Sequence, residues 1–368
     1  MFIKKDGTNP TKESDSLLPG SNIVTIVPSN TTLIKTGVLA CLTLQNAAHA
    51  LLTRYSQGIL KENYSSTEVV LVAELLKMVV SGYLAVTDKS DSDAQGTGFG
   101  KLIWLAWNSR KIIVLVVLYS IANLLAFYAL NRVEASVYTV TLQLKIVTTA
   151  LFAILILGRF INYTKWRALI LLVSGCILVA SPAFNKAPTC SNDKDVAVGS
   201  DKDVSTFESF FGVGAILVMI TISGYSAIYF ESMLKKSNER VTIWERNFQL
   251  ALYSIVFLIL VVVFEALSEG EEVQNMVPTL FEGWTIHAVF IAILQAAGGL
   301  LVAATLKYAD AILKTLATSG AIVLSAIMNW MLLGGTLDIF VGIGCVCTIL
   351  AIFNYTNAPV DMAKEESK

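Results

Sequence analysis

Two lysines lie inside long apolar segments, where a charged side chain needs a compensating partner. Lys145 lies within residues 140–152, and Lys314 lies near the start of residues 311–333. A lysine at the centre of a membrane-spanning helix costs roughly 2.5–3.5 kcal/mol on insertion scales. We expect Lys145 to face a central cavity and to hold an anionic substrate; the alternative is an ion pair with a buried carboxylate. For Lys314 the alternative is a side chain that snorkels to the membrane interface.

Further polar side chains in the apolar segments could complete a binding site. Tyr119 and Asn123 are four residues apart, which places them on one face of a helix. The Asn123 amide can donate and accept hydrogen bonds, as reading a nucleobase edge requires. Tyr138 could stack on a base or donate to a phosphate, but each residue alone is more readily explained by a helix–helix hydrogen bond. Two lysines favour a diphosphate or a phosphodiester over a neutral sugar or an inorganic cation.

The composition is that of a membrane protein. Of the 368 residues, 55% are hydrophobic and 15% are charged, and the mean hydropathy is +0.65. A soluble domain is about 45–50% apolar and about 25% charged. The net charge of −1 gives no bulk attraction to nucleic acid, so no nucleic-acid partner is expected.

Ten apolar segments are long enough to cross a bilayer core of about 30 Å, which predicts an all-α polytopic membrane protein. These predicted spans are residues 33–53, 67–86, 111–130, 135–157, 165–183, 209–232, 247–267, 285–306, 311–333 and 337–356. The longest polar stretches between them are residues 87–110 and 184–208. The predicted organisation is a cytosolic tail (1–32), a five-helix repeat (33–183), a polar linker (184–208), a second five-helix repeat (209–357) and a second cytosolic tail (358–368).

The distribution of basic residues predicts that both termini are cytosolic. The opposite side holds only Arg54, Lys61, Arg132, Lys186, Lys194 and Lys202. An odd number of spans in each half turns the second half upside down, and inverted repeats are typical of secondary transporters. The two segments that contain Lys145 and Lys314 are consistent with related halves. One begins at Glu134 and the other at Asp310, and a glycine, Gly158 or Gly334, follows 24 residues later in each.

Signatures of enzymes and of ATP-driven pumps are missing from the sequence. There is no metal-ligand cluster, no Gly-rich nucleotide loop followed by its lysine, and no Ser or Cys nucleophile with a paired His. We therefore expect neither enzymatic activity nor a metal or other cofactor.

Three blocks of residues resemble the nucleotide-sugar transporters of the Golgi, within the drug/metabolite transporter superfamily. The resemblance spans about residues 33–357. The blocks are residues 137–152, then Tyr229-Phe-Glu with Arg246-Asn-Phe-Gln, and then Gly298-Gly299 with residues 306–319 and Leu324-Ser325. The similar branch contains the CMP-sialic acid, UDP-galactose and UDP-N-acetylglucosamine carriers.

This resemblance implies ten helices in two inverted five-helix repeats with cytosolic termini. It also implies exchange of a nucleotide sugar for the matching nucleoside monophosphate across the Golgi membrane, without direct use of ATP. Homo-oligomer and glycosyltransferase partners stay open. The family's substrate-binding positions, with the two lysines near the phosphates, match Tyr119, Asn123, Tyr138, Lys145, Thr149, Asn247 and Lys314.

The sequence departs from the family pattern at several of these blocks. A common Gln-Asn-Asn triplet is Ala122-Asn-Leu here, and the usual Asn-Ile-Leu-Lys-Gly run has Ala311 and Thr315 at its ends. Thr139, Leu142 and Ala251 also replace residues that are usual in the family. Residues 146–152 are closer to the UDP-sugar carriers, which makes a UDP-sugar/UMP antiporter for UDP-galactose or UDP-N-acetylglucosamine the leading hypothesis. The alternatives are CMP-sialic acid/CMP exchange and a non-transporting Golgi scaffold of the same fold.

Overall fold

The computed structural model describes residues 30–358 except 89–91, 131, 134, 181–205, 236–240, 270–280, 282 and 336–337. Within these residues the chain forms helices and no strands. They are α1 (Asn30–Thr53), a π-helical turn (Arg54–Ile59), α2 (Ser66–Thr87), α3 (Phe99–Trp107), α4 (Arg110–Leu130), α5 (Ala135–Gln143), α6 (Lys145–Leu157), α7 (Tyr163–Val179), α8 (Thr206–Lys235), α9 (Ile243–Glu269), α10 (Ile286–Tyr308), α11 (Ala311–Leu333) and α12 (Ile339–Thr356). The predicted tails and most of the 184–208 linker lie outside the described residues.

Eight helical segments in the described part of the chain are long and apolar enough to cross a membrane. They are α2, α4, the α5–α6 segment from Val137, α8 from Phe211, α9 up to Val261, α10, α11 and α12. The other two predicted spans also form helices. These are α7, which is short at 17 residues, and α1, which carries Gln45, Asn46 and His49. The chain is therefore an all-helical polytopic membrane protein.

The predicted span 135–157 is interrupted at Leu144, where α5 ends and α6 begins. The Leu144 N–H bonds to the Thr141 carbonyl at 3.1 Å, and the Val147 N–H bonds to the Leu144 carbonyl at 3.0 Å. In both bonds the N–H donates to the carbonyl of the residue three positions earlier, which is the 3₁₀ pattern and tightens the backbone locally. Lys145 thus becomes the first residue of a helix in the middle of a span, where interrupted helices often line transporter sites.

Helix α3 lies in the stretch 87–110, which the sequence analysis treats only as a polar connection. Its C-terminal carbonyls accept hydrogen bonds from α9: Gln249 donates to Leu105 at 3.0 Å, and the Tyr253 hydroxyl donates to Ala106 at 2.5 Å. Lys101 pairs with Glu245 of α9 at 2.6 Å. These contacts fix α3 against the first turns of α9.

Glycines set the closest helix approach, between α7 and α12. A Cβ at Gly344 would lie 2.7 Å from the Val179 backbone nitrogen, and one at Gly175 would lie 2.9 Å from the Thr348 backbone nitrogen. Small residues allow such backbone-to-backbone packing, which favours association of helices in a bilayer. Other contacting pairs are α4 with α8 and α9, α2 with α9 and α10, α1 with α10 and α11, and α6 with α8 and α11.

A hydrogen-bonded cluster joins the connection between α1 and α2 to the start of α10. The Glu62 carboxylate accepts from Ser56 at 2.5 Å and from Thr285 at 2.8 Å, and it lies 2.8 Å from His287 Nδ1. The hydrogen bond from Ser56 is the main cause that lowers the pKa of Glu62 below its ordinary value of 4.5. The cluster lies on the side that the charge distribution predicts to be lumenal.

Candidate functional site

The fold brings Lys145 and Lys314, here called the lysine pair, close to each other. Helices α6 and α11 contact each other, and the charge of Lys145 acts directly on that of Lys314. Both side chains are half-buried. Among the described residues, neither ammonium group forms a hydrogen bond or an ion pair. The ion-pair alternative for Lys145 therefore has no partner in the described part of the chain.

One hydrophobic cluster holds the lysine pair and Tyr119 in register. Ile146, next to Lys145, and Ile312 on α11 are buried members of this cluster. Tyr119 of α4 and Leu313, next to Lys314, pack against it. The backbone on which Tyr119 sits is therefore fixed relative to the backbone of both lysines.

Tyr119 and Asn123 line a cavity of about 230 Å³ between α2, α4 and α9. Glu74 and Lys77 of α2 and Ser254 of α9 also line it. The sequence prediction that Tyr119 and Asn123 share one helix face is confirmed. A ring, an amide and a charged pair around one cavity can hold a ligand with both apolar and ionic parts.

Sequence reasoning missed Lys77 as a cavity residue. Lys77 pairs with Glu74, three residues earlier on the same helix, with Nζ and Oε1 2.7 Å apart. The Lys77 side chain packs against Gly299 of α10. A Cβ added at Gly299 would lie 2.9 Å from the Lys77 Cδ atom. Gln45 of α1 packs against Gly298 in the same way, since a Cβ added at Gly298 would lie 2.6 Å from the Gln45 Nε2 atom. The signal that could have identified Lys77 is the one used for Lys145, a charge in the middle of an apolar span.

Asn247 is buried near the start of α9, one turn before the cavity residue Leu250. Its Nδ2 donates to the Ile243 carbonyl at 3.0 Å. Its Oδ1 is buried and has no hydrogen-bond partner among the described residues. A buried acceptor without a donor is costly, so this oxygen is a candidate to accept a hydrogen bond from a ligand.

Tyr138 and Thr149 are placed in contacts within the protein. The Tyr138 hydroxyl lies 3.9 Å from the Met219 sulfur, and its ring packs with Ala122 and Ile216 in a separate cluster. Thr149 is buried, and its hydroxyl donates to the Lys145 carbonyl at 2.8 Å. Thr149 thus bonds to the backbone of the helix turn that begins with Lys145.

The arrangement suits binding of an anion. The lysine pair, two cations without carboxylate partners among the described residues, can bind an anionic group by hydrogen bonds and electrostatics. Neither lysine is among the residues that line the cavity of Tyr119 and Asn123. No group of three His, Cys, Asp or Glu residues that could hold a metal ion occurs among the described residues.

Comparisons with known proteins identify the family. Residues 30–356 match the family described as nucleotide-sugar transporter. A UDP-N-acetylglucosamine/UDP-N-acetylgalactosamine transporter of Caenorhabditis elegans is 33% identical over 87% of this chain and 93% of its own length. A UDP-N-acetylglucosamine transporter of Rattus norvegicus is 33% identical over 87% of this chain and 94% of its own length. A UDP-galactose transporter of Schizosaccharomyces pombe is 32% identical over 86% of each chain.

One crystal structure supports the fold alone. It superposes with a TM-score of 0.56 at 13% identity and covers 86% of this chain and 99% of its own. The sequence relatives and the family match carry the assignment of function. The chain belongs to the nucleotide-sugar transporter family.

Proposed function

We propose that this protein is a UDP-sugar/UMP antiporter of the Golgi membrane. UDP-N-acetylglucosamine or UDP-galactose enters the lumen, and UMP leaves in exchange. The protein has ten membrane-spanning helices in two inverted repeats, with both termini in the cytosol. Alternating access arises by rocking of the repeats around a site near the membrane midplane.

The observation that carries this proposal is the lysine pair. Two like charges inside a membrane protein repel each other and are expensive to retain without a counter-ion. Among the described residues no carboxylate compensates either one. A phosphate or diphosphate supplies that compensation when it binds, and each lysine can donate up to three hydrogen bonds to phosphate oxygens.

The helix contacts support two inverted repeats. If each span corresponds to the span five places later, α1 matches α8, α2 matches α9, α4 matches α10, α5–α6 matches α11 and α7 matches α12. The contact of α4 with α8 then has a counterpart in that of α10 with α1. The contact of α6 with α8 has one in that of α11 with α1, and the contact of α2 with α10 has one in that of α9 with α4.

The ends of the lysine helices support the same correspondence. Gly158 ends α6 in the left-handed conformation, with φ 66° and ψ 27°. Gly334 ends α11 with φ 65° and ψ 23°. Only glycine adopts this conformation without a steric penalty, so both helices end by the same device.

The relatives favour uridine nucleotides. Curated proteins from a nematode, a rat and a fission yeast, all 32–33% identical to this chain, are UDP-sugar transporters. In our proposal the lysine pair neutralises phosphate, and Tyr119, Asn123 and Asn247 contact the nucleoside. Tyr138 contacts the ligand in the conformation that opens its contact with α8. Thr149 acts through its hydrogen bond to the Lys145 backbone.

Nucleotide exchange in proteoliposomes tests this proposal. The full-length protein is reconstituted, the vesicles are loaded with UMP, CMP, GMP or buffer, and uptake of external labelled UMP is followed. We expect saturable uptake that is stimulated by internal UMP and little by internal CMP or GMP. Stimulation by CMP instead would reassign the protein to CMP-sialic acid exchange. If folded protein exchanged no nucleotide at all, the transport proposal would be wrong and the scaffold alternative would be favoured.

A further inference from the structure

Glu231 of α8 is bonded to the ends of both helices that carry the lysine pair. Its side chain is fully buried. Its Oε1 accepts hydrogen bonds from Lys235 at 2.8 Å and from Arg159, which follows α6. Its Oε2 accepts the backbone N–H of Ala311, the first residue of α11, at 2.9 Å. Glu231 is thus both an ion-pair partner and an acceptor for the first backbone N–H of α11.

Arg159 is fixed to the end of α6. The Gly158 N–H bonds to the Ile154 carbonyl at 3.1 Å in an αL capping motif, and the Arg159 N–H bonds to the Ala153 carbonyl at 3.3 Å. The Arg159 side chain therefore links Glu231 to this end of α6. Lys145 begins the same helix, which is 13 residues long and has no proline or glycine that would let its two ends move independently.

The N-terminus of α11 is fixed in the same region. Asp310 caps this helix, because its Oδ1 accepts the Leu313 N–H at 2.7 Å, and its Oδ2 lies 3.5 Å from Arg159. The Lys314 N–H bonds to the Asp310 carbonyl at 2.9 Å, within the same first turn. Lys314 is therefore one helical turn from the backbone N–H that Glu231 holds.

We propose that Glu231 is a positioning residue for phosphate recognition: it sets the spacing of Lys145 and Lys314 by holding the ends of their helices together. This inference rests on the proposed function, because it requires the lysine pair to bind phosphate. Glu231 itself does not line the cavity that Tyr119 and Asn123 share. In this proposal Glu231 acts only through the lysine pair, and so on the part of the substrate that the pair holds.

The charge of Glu231 is needed for this role. Two cations and the positive end of the α11 helix dipole converge on one buried carboxylate. A glutamine at this position can still accept from Ala311, but it leaves the Arg159 and Lys235 charges without their buried partner. Repulsion between these cations then loosens the connection between α6 and α11, and the lysine pair no longer has one fixed spacing.

The variant Glu231→Gln tests the proposal through the preference for phosphate. The assay measures how UMP and uridine each inhibit uptake of labelled UMP. The half-inhibitory concentration of uridine divided by that of UMP, called the phosphate ratio, reports how strongly the phosphate is recognised. We expect this ratio to fall about tenfold or more in Glu231→Gln while inhibition by uridine is unchanged. Glu231→Asp keeps the charge and should recover most of the ratio.

Glu245→Gln is the matched control. Glu245 is as fully buried as Glu231, pairs with Lys101 at 2.6 Å and accepts the Thr242 N–H at 2.7 Å, but it contacts neither lysine helix. This variant should keep the phosphate ratio of the wild type even if it lowers stability. Should Glu231→Gln fail to fold, Arg159→Gln removes the ion pairs of the α6 end with Glu231 and with Asp310 and should change the ratio in the same direction.

The result that overturns the inference is a Glu231→Gln protein with an unchanged ratio, or one in which UMP and uridine weaken equally. Its failure is distinguishable from failure of the proposed function. A wild-type protein that does not prefer UMP over uridine, or a Lys314→Ala protein with normal preference, contradicts the proposed function. A lost preference in Lys314→Ala with an intact preference in Glu231→Gln contradicts only the role of Glu231.

Discussion

At the scale of single residues, the proposed function depends most on Lys145 and Lys314. Each should donate charge-assisted hydrogen bonds to phosphate, and such bonds contribute about 1.5–3 kcal/mol. We expect Lys145→Ala and Lys314→Ala each to weaken inhibition by UMP about ten- to hundredfold in the exchange assay. The proteins should still fold, because removal of one lysine relieves the repulsion between the pair.

Lys307→Ala is the control for this prediction. Lys307 is exposed near the end of α10 and stacks over the ring of its neighbour Tyr308, with Nζ 5.9 Å from the ring centroid. Its removal should leave inhibition by UMP within about twofold of the wild type, since it contacts no part of the site. Equal effects of Lys307→Ala and Lys314→Ala on inhibition by UMP would mean that UMP binding depends on the net charge of the protein and not on a phosphate site.

Single residues differ in how far the sequence predicts their role. Lys145 and Lys314 are recognisable because a charge in an apolar segment needs a reason, whatever the tertiary structure. Thr149 is four residues after Lys145, so its bond to the Lys145 carbonyl is a local bond that helical spacing alone allows. Lys77 carries the same local signal as Lys145, a charge inside an apolar span, but its position over Gly299 of a distant helix is visible only in the folded protein.

At the scale of helices, we expect the close crossing of α7 and α12 to contribute to stability. In Gly344→Ala the new Cβ would lie 2.7 Å from the Val179 nitrogen and 2.8 Å from the Gly175 oxygen, so two backbones must separate. Overpacking of this kind costs about 1–3 kcal/mol. We expect a lower Tm in detergent, whereas Gly342→Ala on the same helix, with no atom within 4 Å of its Cβ, should keep the wild-type Tm. Equal Tm values for the two variants would show that this crossing is not tight.

The Glu62 cluster should make stability depend on pH. Because the pKa of Glu62 is lower in the folded protein, its carboxylate stabilises the fold above the ordinary value of 4.5. This contribution is lost as the pH falls through the lower folded pKa. We expect the Tm difference between wild type and Glu62→Gln to be constant at neutral pH and to shrink below pH 4.5. A difference that stayed constant below pH 4.5 would mean that the cluster does not favour the charged form.

The positions of the helices follow from the sequence, but the break at Leu144 does not. Residues in a bilayer must satisfy their backbone hydrogen bonds within the helix, so long apolar runs fix helix bounds closely, as in 311–333. Residues 135–157 contain neither glycine nor proline that would signal an interruption. The short helix α3 is not predicted for a different reason, since its C-terminal end is held by Gln249 and Tyr253 of another helix.

At the scale of the whole molecule, the proposed inverted arrangement explains why the two lysines meet. Spans that are equivalent under this proposal contact each other directly in three cases among the described residues, α2 with α9, α6 with α11 and α7 with α12. In our proposal these contacts bring residues of equivalent spans together at the interface of the halves, where secondary transporters bind their substrates. The odd number of spans predicts the inversion, whereas the choice of contacting pairs is visible only in the folded protein.

Transport of the intact UDP-sugar tests the central claim most directly. Proteoliposomes that hold the full-length protein are loaded with UMP or with buffer, and labelled UDP-N-acetylglucosamine and UDP-galactose are supplied outside. We predict that at least one of the two sugars accumulates in vesicles loaded with UMP, and that Lys145→Ala abolishes this accumulation. Equal uptake by vesicles without UMP, or undiminished uptake by Lys145→Ala, would contradict the account.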